Sequence, residues 1–440
     1  MLFRKVIFLY EPFCLGSFAA AKKNALKIIQ ALLKNNNASL RAVSQKCVDK
    51  RASTSLTRFL SSSPWDPHQL NKNRLRYLQS LKQLKAVEEG IISLDDTISK
   101  KHGKAIKSAG YHYSHSEHKT ILGQNIVAMH YKDDKKETCL SGEVYLNKKR
   151  ITELRAQGDE VEFHTRIEMA GEMIQEIYDL GIRGQTITMD SWFVTRNLID
   201  KIGELKYHWV GRVKSNRICF DEDGNRQNIT EVARSIPDDC WQKTEPLYET
   251  ALKKEDNTTQ YIAAKTVNLQ SLGALKMVFV RPSLDEEVVL FIGTDRFDLS
   301  AQEILQIYTG RWRIETFFRD CKQNLAFSGY MGRSLIGFKR FLCLVFVAYS
   351  FIKYLSLTGF WGRNNLPRRE TFGAELENYH QLCFEYFIST ICEVNSKLSD
   401  TKEVISYFRD YYYGDFQGSS HYPDDHAFYD LQAHILTAVG

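Results

Sequence analysis

The stretch QTITMDSWFVTRNLIDKIGELKYHWVGRV (residues 185–213) indicates the fold most directly. It begins as a β-branched apolar strand that ends on Asp190, continues with helical spacing over residues 195–202, and finishes in the strand HWVGRV (208–213). Strands that alternate with helices in this way predict an α/β sheet. Because ligand-binding and catalytic groups gather at the carboxyl ends of strands in such sheets, Asp190 is a candidate site residue.

The segments on the amino-terminal side continue the same pattern. GIISLDD (90–96) is another apolar strand that ends on acids, here Asp95 and Asp96, and two further strands are predicted around residues 125–131 and 143–146. Apolar residues at helical spacing then predict a helix that Gly181 stops. The members of that apolar face are Ile167, Ala170, Met173, Ile174, Ile177 and Leu180.

Residues 216–285 have a different texture, with polar turns between short β-like pieces such as YIAAKTV and LKMVFV. We expect a β-rich insertion there, after which the α/β domain resumes with a strand at 287–294 and a long helix. The final 80 residues are helical and aromatic. The apolar run from Phe341 to Ile352 has only twelve residues between basic residues, so it predicts a buried helix and no membrane span.

Charge is distributed unevenly along the chain. Residues 1–90 contain sixteen Lys or Arg and five Asp or Glu, a balance of +11 in a chain whose total is +6. This asymmetry indicates a polyanion-binding region, although a solubilising helical surface would give the same count. Short helices around residues 39–48 and 54–60 allow a helix-turn-helix, and residues 71–87 predict a basic amphipathic helix. The nine cysteines lack a CxxC pair and indicate reduced thiols in the cytosol.

The long helix after the last strand is the most informative segment for chemistry. Ser300 and Glu303 form a capping-box pattern at its start. Four polar residues then follow at offsets of three, four and seven, which on one helix would lie within an arc of about 60°. They are Tyr308, Arg311, Glu315 and Lys322. A salt bridge within the helix, between Arg311 and Glu315, explains the spacing equally well.

The acid-ended strands favour a site. One acid from each strand, together with Glu315, would give three carboxylates and an oxygen-rich site for two Mg²⁺ ions. The first acid is ambiguous, because Asp95 and Asp96 are adjacent and point to opposite sides of a strand. No Gly-rich phosphate loop precedes a Lys-Ser or Lys-Thr pair, which argues against nucleotide hydrolysis.

The same residues carry a resemblance to a known family. YTGRWRIETFFRDCK (308–322) matches the Y-x2-R-x3-E-x6-K signature of one group of DDE insertion-sequence transposases. ISLDDT and ITMDSWF resemble the two catalytic-Asp segments of that group, and RFLSSSPWD and GRVKSNR resemble flanking segments. The resemblance extends from about residue 50 to 345, in the expected order.

The resemblance implies an α/β, RNase H-like catalytic domain with a β-rich insertion, flanked by N- and C-terminal helical regions. The implied ranges are residues 91–215 and 286–360 for the catalytic domain, 216–285 for the insertion, 1–90 for a helical basic DNA-binding region and 361–440 for a helical, dimerising region. The distance of 125 residues from Asp190 to Glu315 is too long for a plain connection and fits the insertion.

The resemblance also assigns roles. Its Asp-x-Thr pattern favours Asp95 over Asp96 as the first acid, so the catalytic, metal-binding residues would be Asp95, Asp190 and Glu315, with Mg²⁺ or a substituting Mn²⁺. In the family, the Tyr, Arg and Lys of the signature contact DNA phosphates. Here they would be Tyr308, Arg311 and Lys322.

The predicted function is a transposase that cleaves DNA at terminal inverted repeats and joins the freed 3′-hydroxyl to target DNA, as a homodimer on paired ends, in the cytoplasm with the nucleoid. The alternatives are a domesticated, non-catalytic DNA-binding protein and a hydrolytic RNase H-like nuclease. We interpret Trp192 and Trp312 as core residues in preference to base-stacking surfaces. Three histidines are interpreted as part of a solvated loop and not as a zinc site: His112, His115 and His118.

Overall fold

The computed structural model describes residues 19–34, 53–114, 117–183, 186–221, 224–244 and 260–397. In chain order the helices and strands are α1 (Ala19–Lys34), α2 (Ser53–Ser61), α3 (Pro67–Ser80), β1 (Ile91–Lys100), β2 (Gly110–Ser114), β3 (Lys119–Lys132), β4 (Glu137–Tyr145), α4 (Lys148–Ala156), α5 (Arg166–Asp179), β5 (Thr186–Met189), α6 (Arg196–Glu204), β6 (His208–Arg212), β7 (Ile218–Phe220), β8 (Arg226–Asn228), α7 (Ile229–Arg234), a 3-10 turn (Asp238–Cys240), β9 (Gln242–Thr244), β10 (Gln260–Leu269), β11 (Gly273–Arg281), β12 (Leu290–Thr294), α8 (Ala301–Thr309), α9 (Trp312–Asn324), α10 (Leu335–Leu357), α11 (Phe360–Arg363) and α12 (Phe372–Lys397).

The chain divides into two compact units. One consists of residues 86–98 and 125–318, and the other of residues 1–85, 99–124 and 319–440. The first unit, which we call the sheet unit, contains a mixed sheet in the strand order β3-β1-β5-β6-β12-β11-β10-β7-β8, with β4 beside β3 and β9 beside β10. This mixed sheet with its helices confirms the predicted α/β fold class.

Parallel pairing is found at the centre of that sheet. Strand β5 pairs in parallel with β1 on one side and with β6 on the other. All four residues of β5 are buried, as expected for a strand that is covered on both faces. Helix α6 connects β5 to β6, so residues 185–213 form the predicted strand-helix-strand unit, with slightly shifted bounds.

Local sequence signals explain where the flanking helices begin and end. Helix α5 starts with a capping box between Thr165 and Glu168 and is followed by Gly181 at a φ of 71°, a conformation that glycine adopts without steric cost. Ser300 and Glu303 form the predicted capping box of α8. Both helices bury their apolar faces, so these sequence-based predictions are confirmed.

Residues 218–281 extend the sheet with antiparallel strands. Strands β10 and β11 form a hairpin that closes between Leu269 and Gly273, and β11 pairs with β12. The antiparallel strands β7, β8 and β9 complete this part of the sheet.

The second unit is largely helical, and we call it the helical unit. Helices α1, α2, α3 and α12 pack on α10. Arg74 of α3 is fully buried and donates hydrogen bonds to Asn71 Oδ1 and Ser350 Oγ, while Arg340 of α10 donates to the carbonyl oxygens of Leu60 and Trp65. These two arginines therefore stabilise the packing of the helices, and Arg74 adds nothing to a basic surface.

Several sequence-based bounds are wrong. Helix α10 has 23 residues and is by length and composition able to cross a membrane, but 83% of its most apolar stretch is buried, which favours the predicted buried helix. Helix α3 starts at Pro67 because Asp66 caps it, and it ends at Ser80, so it does not cover residues 71–87. The helix expected at residues 39–48 and the tail beyond residue 397 lie outside the described residues.

Candidate active site

The first two carboxylates follow from the strand register. Leu94 of β1 lies opposite Met189 of β5, and this is the last pair of their parallel ladder. Asp95 and Asp190 are the next residues of the two strands. Since neighbouring strands lie about 4.8 Å apart, these two acids stand side by side at the carboxyl edge of the parallel strands.

Strand β1 does not end on its acids, as the sequence suggested. It continues to Lys100, because β1 remains paired with β3 after β5 has ended. Asp95 and Asp96 therefore lie within a strand and point to opposite faces.

The two adjacent acids have different partners. Asp95 Oδ2 lies 2.6 Å from Arg311 Nη1. Asp96 Oδ2 accepts a hydrogen bond from the Asn125 side chain and lies 3.4 Å from Arg166 Nε. Asp95 is therefore paired with an arginine from the segment after β12, whereas Asp96 is paired with an arginine of α5. The sequence reasoning missed Arg166, whose only signal is its position directly after the cap of α5.

Arg311 connects the first carboxylate to the third. Its Nη1 contacts Asp95, and its Nη2 lies 2.6 Å from Glu315 Oε1. Its guanidinium stands 5.8 Å from the centre of the Tyr308 ring, and its Nε is buried without a hydrogen-bond partner. The salt bridge that sequence spacing alone allowed is thus present, but the same guanidinium also binds a carboxylate 216 residues away.

The predicted single long helix is in fact two helices. Helix α8 ends at Thr309, Gly310 and Arg311 form a turn, and α9 starts at Trp312. A Cβ on Gly310 would lie 2.9 Å from Ile91 Cδ1 and 3.0 Å from the Ile307 carbonyl oxygen, so a larger residue here would require the Ile91 side chain to shift. The break places Arg311 beside Asp95. The four polar residues of the signature therefore do not lie on one arc of a single helix, as the sequence had predicted.

Burial and mutual repulsion raise the carboxylate pKa values. Burial is the main cause that raises the pKa of Asp95 to about 7; Arg311 opposes this rise, and Asp190 and Asp96 add to it. Burial likewise raises the pKa of Asp190, against the hydrogen bond from the Trp192 N–H and the charge of Arg311. Burial alone would lower the pKa of Arg311. The neighbouring Asp95, Tyr308 and Glu315 outweigh burial, so the pKa of Arg311 lies above its ordinary value. Burial therefore disfavours the charged form of both carboxyl groups, even with Arg311 beside them.

Tyr308 and Lys322 differ in their surroundings. Tyr308 is 7% exposed and belongs to an apolar cluster beneath the site, and burial raises the pKa of its phenol. Lys322 is half-buried on α9, seven residues after Glu315, and burial lowers its pKa. From Arg319 onwards the helix belongs to the helical unit.

The donor set fits a hard divalent cation in its chemistry. Asp95 and Asp190 offer carboxylate oxygens at one edge, and one or two carboxylates are enough for a Mg²⁺ that also binds phosphate. Glu315 lies on the other side of the Arg311 guanidinium. Within the described ranges, no three His, Cys, Asp or Glu side chains are grouped closely enough to form a ready metal cluster. Binding by all three carboxylates therefore requires that Arg311 leave its position between two of them.

Two further interpretations of the sequence are corrected. Trp192 is 57% exposed and is no core residue, whereas Trp312 is half-buried. The histidines do not share one loop: His112 is buried on β2, His118 is exposed before β3, and His115 lies outside the described residues.

Comparison with known proteins identifies the family. The DDE superfamily endonuclease family matches residues 14–237, just over half of the 440 residues, and the transposase DDE domain matches residues 161–351. The two matches overlap at Asp190, and together they include Asp95 and Glu315. No curated protein sequence matches the chain.

The fold and the family matches define a DDE-type transposase or endonuclease. The chain belongs to the DDE superfamily of endonucleases. Its mixed sheet with flanking helices is consistent with the RNase H-like fold that the sequence predicted.

Proposed function

We propose that the protein is a DNA transposase that cleaves DNA at the ends of an insertion sequence and joins the 3′-hydroxyl to target DNA. The observation that carries the proposal is the contact network at the strand edge, in which Asp95 and Asp190 are neighbours and Arg311 connects Asp95 to Glu315. The ion pairs of Arg311 thus connect Asp95 on β1 with Glu315 on α9, residues that lie 220 positions apart in the chain.

In this proposal Asp95, Asp190 and Glu315 hold Mg²⁺, with Mn²⁺ able to substitute. When bound, the metal supplies a more acidic water or 3′-hydroxyl and stabilises the leaving oxygen of the phosphodiester. The raised pKa values of Asp95 and Asp190, caused mainly by burial, support this assignment, because a bound dication would stabilise the charged form that burial disfavours.

The remaining signature residues position the DNA. The Arg311 guanidinium has five N–H donors in a fork that suits a phosphate as well as a carboxylate, so it can transfer from Asp95 and Glu315 to the strand. Tyr308, on α8, is buried in an apolar cluster with residues of β6 and of β10 to β12, and its ring lies 5.8 Å from the Arg311 guanidinium that it would help to position. Lys322 supplies a point charge further along α9.

The flanking regions would recognise and pair the DNA ends. The +11 balance of residues 1–90 suits terminal inverted repeats, and residues 361–440 would form a homodimer on two ends. Because such binding releases counterions, we expect DNA affinity to fall steeply as the salt concentration rises.

The test is a cleavage and joining assay on the DNA that flanks the gene. Asp190→Asn and Glu315→Gln should each reduce strand cleavage by about 1,000-fold or more, without weakening DNA binding. Asp200→Asn is the matched control, since Asp200 is an exposed carboxylate on α6 paired with Arg196, and it should cleave at the wild-type rate.

Each alternative function has its own outcome. Cleavage that survives in Asp190→Asn or Glu315→Gln contradicts the assignment of the site. Specific binding by the wild-type protein without any cleavage would favour a non-catalytic DNA-binding protein, and cleavage without joining would favour a hydrolytic nuclease.

A further inference from the structure

A large aromatic side chain is exposed directly beside the candidate site. Trp192 is 57% exposed, although it lies only two residues after Asp190, and its backbone N–H donates a 2.9 Å hydrogen bond to Asp190 Oδ1. The next residue, Phe193, is 1% exposed and anchors the turn in the core. The turn therefore holds the indole outward at a fixed position relative to the carboxylate.

A basic loop adjoins this tryptophan. Lys214, which follows β6, places its ammonium group 4.5 Å from the centre of the Trp192 ring. Arg217 fastens the loop to the turn, since its Nη2 donates to the Val194 carbonyl oxygen and its Nη1 to Ser271 Oγ. The side chains of Trp192 and Lys214 thus form a positioned pair, which we call the Trp192 platform.

The platform lies at the same strand edge as the acids. Gly211 of β6 pairs with Met189 of β5, so Arg212 follows on β6 where Asp190 follows on β5. Arg212 is exposed, and its charge partly opposes the rise that burial causes in the pKa of Tyr308. An exposed indole, two exposed cations and a half-buried carboxylate at one edge are the features of a surface for a nucleic-acid strand, with the cations for phosphates and the ring for a base.

We propose that Trp192 stacks on an unpaired base of the DNA strand whose phosphate lies at the carboxylates, while Lys214 binds a neighbouring phosphate. This inference rests on the proposed function and adds the recognition of an unpaired base. The base is unpaired because a base inside a duplex has both faces covered by its neighbours, whereas the indole needs one free face. Because Asp190 accepts a hydrogen bond from Trp192, the stacked base belongs to a nucleotide close to the scissile phosphate.

The experiment is a double-mutant cycle between the residue and the base. The full-length protein and Trp192→Ala are titrated with end DNAs in which one nucleotide at a time near the cleavage site is abasic, in Ca²⁺ so that the DNA stays intact. On unmodified DNA, Trp192→Ala should weaken binding by about five- to 150-fold. At one abasic position the wild-type protein should lose the same factor and Trp192→Ala should lose almost nothing further.

Matched variants separate stacking from loss of structure. Trp192→Phe keeps an aromatic face and should bind nearly as well as the wild-type protein. Phe297→Ala should have no effect, because Phe297 is an exposed aromatic residue (48%) after β12, which runs antiparallel to β6 and therefore ends at the opposite edge. Lys214→Ala should weaken binding at every DNA position and reduce the salt dependence by about one ion.

The outcomes distinguish this inference from the function on which it rests. If the wild-type protein cleaves its ends but Trp192→Ala binds every abasic DNA in the same ratio as unmodified DNA, the platform does not stack a base and the inference is wrong. If the wild-type protein neither binds nor cleaves the ends, both the proposed function and the platform are overturned.

Discussion

Replacing Asp95 by Asn should remove most of the pH dependence of the stability of the metal-free protein. In the folded state burial raises the pKa of Asp95 to about 7, whereas its ordinary value is 3.8. Between these values the folded protein holds a proton that the unfolded chain has released, so the free energy of unfolding falls as pH rises through this window. Below about pH 4 the stabilising contribution is fully present, and above about pH 7 it is lost.

The size of the effect follows from the shift. A pKa difference of about 3 units at 1.36 kcal/mol per unit corresponds to up to about 4 kcal/mol between pH 4 and pH 8. In a unit of about 200 residues each kcal/mol changes the melting temperature by about 2–4 °C. The wild-type protein should therefore lose on the order of 10 °C over this range, beyond what other groups contribute.

The assay is thermal unfolding in chelator at pH 5 and pH 8.5, for the wild-type protein, Asp95→Asn and Asp96→Asn. Asp95→Asn should flatten the dependence on pH and so be the relatively more stable protein at pH 8.5. Asp96→Asn is the matched control, since the Asp96 carboxylate pairs with Arg166 and Asn125 and not with Arg311, and this variant should retain most of the wild-type dependence. Equal slopes for the wild-type protein and Asp95→Asn, or a flat slope for Asp96→Asn alone, would refute the reasoning.

Further predictions concern the metal, the guanidinium and the helix break. Mg²⁺ binding should strengthen as pH rises through about 7 and should release a proton, because Asp95 must ionise. Isothermal titration calorimetry in buffers of different ionisation enthalpy measures the number of protons released. Binding without proton release would contradict the prediction. Arg311→Met should destabilise the metal-free protein by about 2–4 kcal/mol, since Asp95 and Glu315 lose their cation. Added Mg²⁺ should then raise the melting temperature of this variant more than that of the wild-type protein. An equal rise in both proteins would count against Arg311 occupying the metal position. Gly310→Ala should lower the free energy of unfolding, measured by chemical denaturation, by about 1–3 kcal/mol. Adding Ile91→Val to the same chain should restore part of this loss. No recovery would mean that the contact with Ile91 does not cause the loss of stability.

Local signals in the sequence were sufficient to predict much of the fold. The alternation of strand and helix periodicity predicted the α/β class, and the capping box at Ser300 and Glu303 and the glycine at 181 marked helix ends correctly. These signals act within a few residues, so they can be recognised without knowledge of tertiary contacts.

Features that depend on distant residues were not predictable. The backbone at the helix break passes close to Ile91 at Gly310, and β1 continues beyond its acids because β3 pairs with it. Arg74 counted as surface charge in the sequence but is buried against Ser350. In each case the deciding contact joins positions far apart in the chain.

At the candidate site, too, the sequence predicted the residues but not the contacts between them. Spacing and strand ends selected Asp95, Asp190 and Glu315, and the structure brings the first two together at one edge and connects the third through Arg311. The position of Arg311 between two carboxylates, and the outward orientation of Trp192, follow from turn geometry that the sequence pattern does not encode.

The central claim, that these carboxylates bind the catalytic metal, is tested most directly by changing the metal preference of one ligand. In Asp190→Cys the hard carboxylate oxygen is replaced by a softer thiolate, which binds Mg²⁺ poorly and Mn²⁺ better. DNA cleavage should be lost in Mg²⁺ and recovered in Mn²⁺, while Asp200→Cys behaves as the wild-type protein in both metals. A variant that is equally inactive in both metals while still binding DNA, or equally active in both, would contradict the account.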